Sequence, residues 1–173
     1  MKIIKAPNNP KLEGKWIPRI FLAGSIEMGK AIDWQTHITE SLLDLECVIY
    51  NPRRDDWDKS WVQTIDNPPF HEQVNWELDR LSESTIIAMY FDPATMSPIS
   101  LLELGLYART QRIVVCCPDE FWRKGNVDIV CKRNNIEQVN SLDELIENII
   151  HKVKLYNGII INDQPRRVLW ETE

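Results

Sequence analysis

Thr85-Ile86-Ile87-Ala88-Met89-Tyr90-Phe91, followed after a short gap by Ser97-Pro98-Ile99-Ser100-Leu101-Leu102-Glu103-Leu104-Gly105, decides how this chain folds. The first segment is almost wholly apolar. A strand wetted on one face alternates apolar and polar residues, whereas an unbroken apolar strand is expected when helices cover both faces of a parallel sheet. The second segment opens like a helix, with Ser97 as N-cap and Pro98 at the first helical position. Glu103 then lies under two turns in, close to the positive end of the helix. It shares a face with Ile99, Ser100 and Tyr107. A carboxylate among leucines is costly unless it is paired or working. A solvated glutamate on an amphipathic helix is the alternative.

Working outward, apolar strands alternate with helical patterns. Residues 17–23 read as a first strand running into Gly24-Ser25, and Trp34, Ile38, Leu42 and Leu45 keep helical spacing. Cys47 to Tyr50 is a second strand, stopped by Asn51-Pro52. A long loop from Arg53 to Pro69 precedes a helix over 72–82, which leads to the strand quoted above. After the Glu103 helix come a strand over 112–117, a short helix over 127–132 and a short strand over 136–139. Ser141-Leu142-Asp143-Glu144 is a capping-box pattern opening a last helix to about Lys154. Strand–helix alternation of this kind predicts an α/β fold with a parallel sheet. The polar segment 1–16, with Pro7 and Pro10, reads as a loose N-terminal arm. Residues 17–155 form the domain, and 156–173 a tail whose alternation at Ile159 and Ile161 suggests an extra strand or a contact with a second subunit.

Composition narrows the function. The chain has 173 residues and a net charge of −6, which argues against nucleic acid or an anionic membrane as the main partner. No apolar run reaches membrane-span length, and the N-terminus lacks a signal-peptide core, so a cytoplasmic location is expected. The four cysteines, Cys47, Cys116, Cys117 and Cys131, form no Cys-x-x-Cys pair and read as small core residues. No metal-ligand spacing links His37, His71 and His151.

Parallel sheets bind ligands at the carboxyl ends of their strands, where strand order reverses. Three segments gather there: Gly24-Ser25-Ile26, Asn51-Pro52-Arg53-Arg54, and Asp92 to Ser100. Gly24 permits a sharp turn or close ligand approach, and the amides and hydroxyl beside it suit a sugar hydroxyl or a phosphate. An ordinary strand-to-helix turn is the alternative. The segment is neither a Gly-x-Gly-x-x-Gly fingerprint nor a phosphate loop. Glu77, near the border of its helix's apolar face, is a second candidate carboxylate; a solvated acidic face is the other reading. The aromatic, charged loops 53–58 and 121–126 read either as a rim over a base or as plain surface.

Phe21-Leu22-Ala23-Gly24-Ser25-Ile26, Asn51-Pro52, the Trp76-Glu77 helix and Ser97 through Gly105 together resemble the nucleoside 2-deoxyribosyltransferase family, in its "-like" branch, over residues 17 to about 150. The Glu-Leu-Gly element ending at Gly105 is the most specific part. The resemblance implies a flavodoxin-like three-layer fold with a five-stranded parallel sheet of order 2-1-3-4-5. It implies transfer of 2-deoxyribose between nucleobases through a covalent ester, with Glu103 as nucleophile and Glu77 as second acid, where the family usually carries Asp. Gly24, Ser25, Ile26, Asn51, Asp92, Ser97 and Asn126 are the implied substrate contacts, and in the homo-oligomer that the resemblance implies, either the loop with Asn126 or the C-terminal tail reaches across an interface. No metal or cofactor is implied, and the partner is a small nucleoside or nucleotide. Phe21 stands where the family often has a tyrosine that orients the nucleophile; Tyr107 and Ser25 are the candidate substitutes. Ser97 matches the related 2-deoxynucleoside monophosphate N-hydrolases, whereas transferases tend to carry Asp there. Glu27 departs from the Arg that those hydrolases carry, leaving Arg53, Arg54 or Lys124 to supply positive charge. An N-hydrolase and a non-catalytic nucleotide-binding module are therefore the competing functions, the latter suggested by Phe21 and Glu77.

Overall fold

The computed structural model describes residues 1–26 and 31–162. Six parallel strands form one sheet: β1 (Lys2–Lys5), β2 (Arg19–Gly24), β3 (Val48–Asn51), β4 (Ile86–Tyr90), β5 (Ile113–Cys116) and β6 (Glu137–Val139), in spatial order β1-β3-β2-β4-β5-β6. The α-helices among the described residues are α1 (Trp34–Ser41), α2 (Pro68–Glu83), α3 (Pro98–Tyr107), α4 (Lys124–Asn134) and α5 (Leu142–Asn162).

The expected five strands in order 2-1-3-4-5 are corrected to six. The extra strand comes from the segment read as a loose arm: Lys2 to Lys5 pair in register with Val48 to Asn51. Lys-Ile-Ile-Lys is too short to show a period, yet Ile4 and, just beyond it, Ala6 are buried against the sheet. Set β1 aside and the remaining strands lie β3-β2-β4-β5-β6.

Side chains alternate across the sheet and make two cores. Phe21, Ala23, Tyr50, Ile87, Met89 and Phe91 face one layer, with Trp76 and Leu81 of α2, Leu104 of α3 and Val127 of α4. Ile20, Leu22, Ile49, Ile86, Ala88 and Val114 face the other, with Trp34 and Ile38 of α1 and Leu145, Ile149 and Val153 of α5. This double cover is why the β4 sequence is apolar throughout. Cys116 and Cys117 sit in opposite cores, and all four cysteines are buried and unbridged.

The helices differ from their expected extents: α1 stops at Ser41, short of Leu42 and Leu45, and α3 ends at Tyr107. α2 begins earlier, at Pro68-Pro69, because proline is well suited to the first helical turn, where its missing N–H costs nothing. α4 begins at Lys124 and runs longer than the apolar spacing suggested. α5 continues to Asn162, so the strand suggested around Ile159 and Ile161 is helical backbone; the rest of that tail, 163–173, lies outside the described residues. The capping box holds in altered form: Ser141 Oγ accepts from Glu144 N at 3.2 Å, and Glu144 reaches back to Asn140 N at 2.8 Å. Among the described residues no helix is long and apolar enough to cross a membrane.

Candidate active site

The strand order reverses between β2 and β4, and their carboxyl ends meet at Gly24 and Tyr90. Gly24 has φ +136°, and a Cβ there would stand 2.2 Å from the Tyr90 carbonyl oxygen. Only glycine lets the two strands approach this closely while the chain turns. Ser25 follows at once, its N–H donating to that same oxygen at 2.9 Å.

Ser25 anchors a buried ring of hydroxyls. Ser25 Oγ lies 2.5 Å from Ser97 Oγ, Thr95 Oγ1 lies 2.9 Å from Ser25 Oγ, and Thr95 Oγ1 lies 2.7 Å from Ser97 Oγ. Asp92 N donates to Ser25 Oγ at 2.8 Å, and the Ser25 carbonyl accepts from Trp34 Nε1 at 2.8 Å. Ser97 does occupy the N-cap position of α3, but in the left-handed region with φ 45°, and its side chain makes no capping bond. The hydroxyl turns to Ser25 and Thr95 instead, which corrects the simple capping role. Asp92 is committed to backbone: its carboxylate accepts from Ile32 N at 3.0 Å and from Ala94 N at 2.9 Å. Asn51, at the end of β3, is likewise used to accept from Arg53 N at 2.9 Å. Ile26 is half-buried. Glu27 lies outside the described residues.

The two candidate glutamates come together from α2 and α3. Glu103 is 7% exposed, and among the described residues nothing donates a hydrogen bond to its carboxyl group. Burial, and then the charge of nearby Glu77, push its pKa up to about 8. Glu77 is half-buried; burial pushes its pKa up to about 7, against the opposing pull of a 2.8 Å hydrogen bond from Gln73 Nε2. Two like charges in a dry place cannot both ionise easily, so the pair holds a proton at neutral pH. Gln73 favours charge on Glu77, which leaves the proton with Glu103 in the unliganded state.

This pair makes stability depend on pH. An unfolded glutamate ionises near 4.5, whereas these two stay protonated in the fold to about 7 and 8. Between those limits the folded state binds more protons than the unfolded one, so stability falls as pH rises. Urea unfolding at pH 5 and pH 9 is expected to show a loss of several kcal/mol, since each unit of upward shift is worth about 1.4 kcal/mol. Glu103→Gln should remove most of that loss; an unchanged decline in the variant would show that Glu103 does not carry it.

The remaining expected residues divide. Phe21 points into the core, with its ring 6.3 Å from that of Trp76. Of the two candidate substitutes for its missing hydroxyl, Tyr107 gives its O–H to the Leu78 carbonyl at 3.3 Å, and Ser25 is in the hydroxyl ring. Arg54 is held by Asp56, Glu72 and the Trp61 ring, and Lys124 by Asp119 and Asp128. Arg53 bonds Asp33 and Gln35 beside the end of β3. Asn126 lies apart, in a groove of about 340 Å³ between α3 and α4 lined by Leu101, Leu104 and Gly105. Sequence reasoning gave no role to Thr95 or Gln73. Thr95 had no signal beyond its place in the segment after β4; Gln73 had the one-turn spacing to Glu77.

The sheet is covered on both faces, its strand order reverses beside Gly24, and α2 and α3 bring Glu77 and Glu103 together. The family described as nucleoside 2-deoxyribosyltransferase like matches residues 17–121, more than half the chain, and the protein belongs to that family. Among solved structures, a conserved protein from Enterococcus faecalis V583 is similar at a TM-score of 0.60 and 16% identity, over 79% of this chain and 99% of that one. That likeness is one of fold. No curated protein matches the sequence.

Proposed function

We propose that this protein cleaves the N-glycosidic bond of 2-deoxynucleosides, or of their monophosphates, and passes the deoxyribose to another nucleobase through an ester on Glu103. What supports this reading is the Glu77–Glu103 pair: two carboxyl groups brought together from α2 and α3, both pushed upward by burial and Glu103 further by the charge of Glu77.

Substrate binding moves the shared proton to Glu77 and leaves Glu103 ionised. The bond between C1′ and the base nitrogen breaks with its electron pair going to the base. Glu77 protonates that base, and a Glu103 oxygen forms the new bond to C1′. The developing oxocarbenium charge is stabilised by the same carboxylate that traps it. In the second half, Glu77 takes the proton from an incoming base, whose nitrogen attacks C1′ and releases Glu103. The hydroxyl ring of Ser25, Thr95 and Ser97, with Gly24, Ile26, Asn51 and Asp92, shapes the sugar side. Asn126 serves a neighbouring copy in a cytoplasmic homo-oligomer. No metal or cofactor takes part.

Water in place of the second base makes the protein an N-hydrolase. Ser97, the residue in which this chain resembles the monophosphate N-hydrolases, favours that second reading and a 5′-phosphate on the substrate. The test is chromatography of deoxynucleosides and their monophosphates with and without a different free base, alongside Glu103→Ala. A swapped nucleoside that vanishes in the variant is the expected result. Free base without a swap would select hydrolysis. Ligand binding without turnover, undisturbed in Glu103→Ala, would replace both with a nucleotide-binding module.

A further inference from the structure

If Glu77 shuttles a proton, something must hold it in both its charged and its neutral forms. Gln73, one helical turn earlier and 4% exposed, stands beside it. Gln73 Nε2 donates to the Pro52 carbonyl at 3.0 Å and to Glu77 Oε1 at 2.8 Å. The Pro52 oxygen can only accept, so the amide nitrogen, not its oxygen, must face that side. The amide is therefore locked with its N–H groups toward Pro52 and Glu77. Its oxygen, Oε1, is buried and has no hydrogen-bond partner among the described residues. A buried acceptor without a donor is costly and calls for an explanation.

A primary amide and a carboxylic acid pair through a ring of two hydrogen bonds. The amide N–H gives to the acid's carbonyl oxygen, and the acid's O–H gives to the amide oxygen. The hydrogen bond from Gln73 Nε2 to Glu77 Oε1 is of the first of these two kinds. We propose that Gln73 is the positioning residue that lets Glu77 take and release a proton, its N–H holding the carboxylate and its partnerless Oε1 receiving the Glu77 O–H when the proton arrives. The proton travels only between Glu77 and the base nitrogen; Gln73 gains and loses nothing but hydrogen bonds. Pro52, at the exit of β3, is the fixed point from which the amide is aimed.

The titratable groups around this pair are few. From α3 come Glu103, raised by burial and then by the Glu77 charge, and Tyr107, raised by burial, opposed by Arg112 and raised further by Glu103 and by Asp79 of α2. From the β3 side comes the neutral Pro52 carbonyl. Among the described residues no lysine or arginine bonds to either carboxyl group. Gln73 is thus the group best placed to bias Glu77.

This inference rests on the catalytic reading, yet it can fail separately from it. The experiment is a carboxyl carbon-13 NMR titration of the full chain without substrate, with the Glu77 signal assigned by its loss in Glu77→Gln. A hydrogen bond to the charged form outweighs one to the neutral form. Gln73→Met is therefore expected to raise the Glu77 midpoint by on the order of one pH unit. In base exchange it should lower kcat by about tenfold while KM stays within about twofold. An unmoved midpoint in folded Gln73→Met would overturn the inference and leave Gln73 as a packing residue between α2 and Pro52. Should that variant not fold, Gln73→Asn, with its shorter reach, is titrated against the same criterion. A moved midpoint in a protein without turnover would sustain the hold on Glu77 and sink the catalytic reading alone.

Discussion

Glu103→Gln is expected to abolish base release and base exchange together, by a factor on the order of a thousand or more. Glutamine keeps the shape and the helix but has no charge to stabilise the sugar cation and no oxygen able to form the ester. The loss cannot be assigned to a damaged fold, because the variant removes a carboxyl group that burial already disfavours as an anion. Above pH 8 it should unfold at a higher temperature than the wild type. Glu77→Gln should cost less, about a hundredfold, since it removes proton transfer but not the nucleophile. A substrate whose base leaves readily without protonation should restore most of the rate to Glu77→Gln and none to Glu103→Gln. Steady-state rates across substrates of graded leaving ability check both statements. Turnover within tenfold of wild type in Glu103→Gln would remove Glu103 from the chemistry.

Among the glycines of the described residues, Gly24→Ala is expected to be the most damaging substitution. The added Cβ would lie 2.2 Å from the oxygen, 2.8 Å from the nitrogen and 3.0 Å from the carbonyl carbon of Tyr90, all of them backbone atoms. A flexible side chain could swing away, but a backbone held in register cannot. Ile20 to Gly24 pair continuously with Ile86 to Tyr90, and Ser25 N bonds the very oxygen the methyl would strike. The φ of +136° adds strain for any residue with a side chain. Together these should cost about 3–5 kcal/mol, or roughly 10 °C in Tm. Whatever folds should also bind ligand poorly, because Ser25 and its ring of hydroxyls are carried directly on this turn. Thermal unfolding measures the first effect, and a Tm within about 2 °C of wild type would refute the close approach.

The alternation of apolar strands with helices was legible because a doubly covered parallel strand has an unmistakable composition; Thr85 to Phe91 is the plainest case. Gly24, Ser25, Asn51, Asp92 and Ser97 fall where a strand-end reading puts them. Edge strand β1 was not legible, since its four residues are stabilised by pairing with β3 and by burying Ile4, both long-range effects. Asp92 and Asn51 could be placed but not assigned partners; only the folded chain shows both spending their oxygens on backbone N–H groups.

By itself, then, the sequence determined the α/β class and the line of segments along the carboxyl edge, and singled out Glu103 as a candidate acid, because hydrophobic period and turn chemistry are local properties. The tertiary structure alone decided that Glu77 and Glu103 share an electrostatic environment, that Thr95 closes a ring with Ser25 and Ser97, and that Gln73 is pinned by Pro52. Those facts depend on α2, α3 and the ends of β2, β3 and β4 converging from distant parts of the chain. Distance between groups, not their order, sets which charges interact and which hydrogen bonds form.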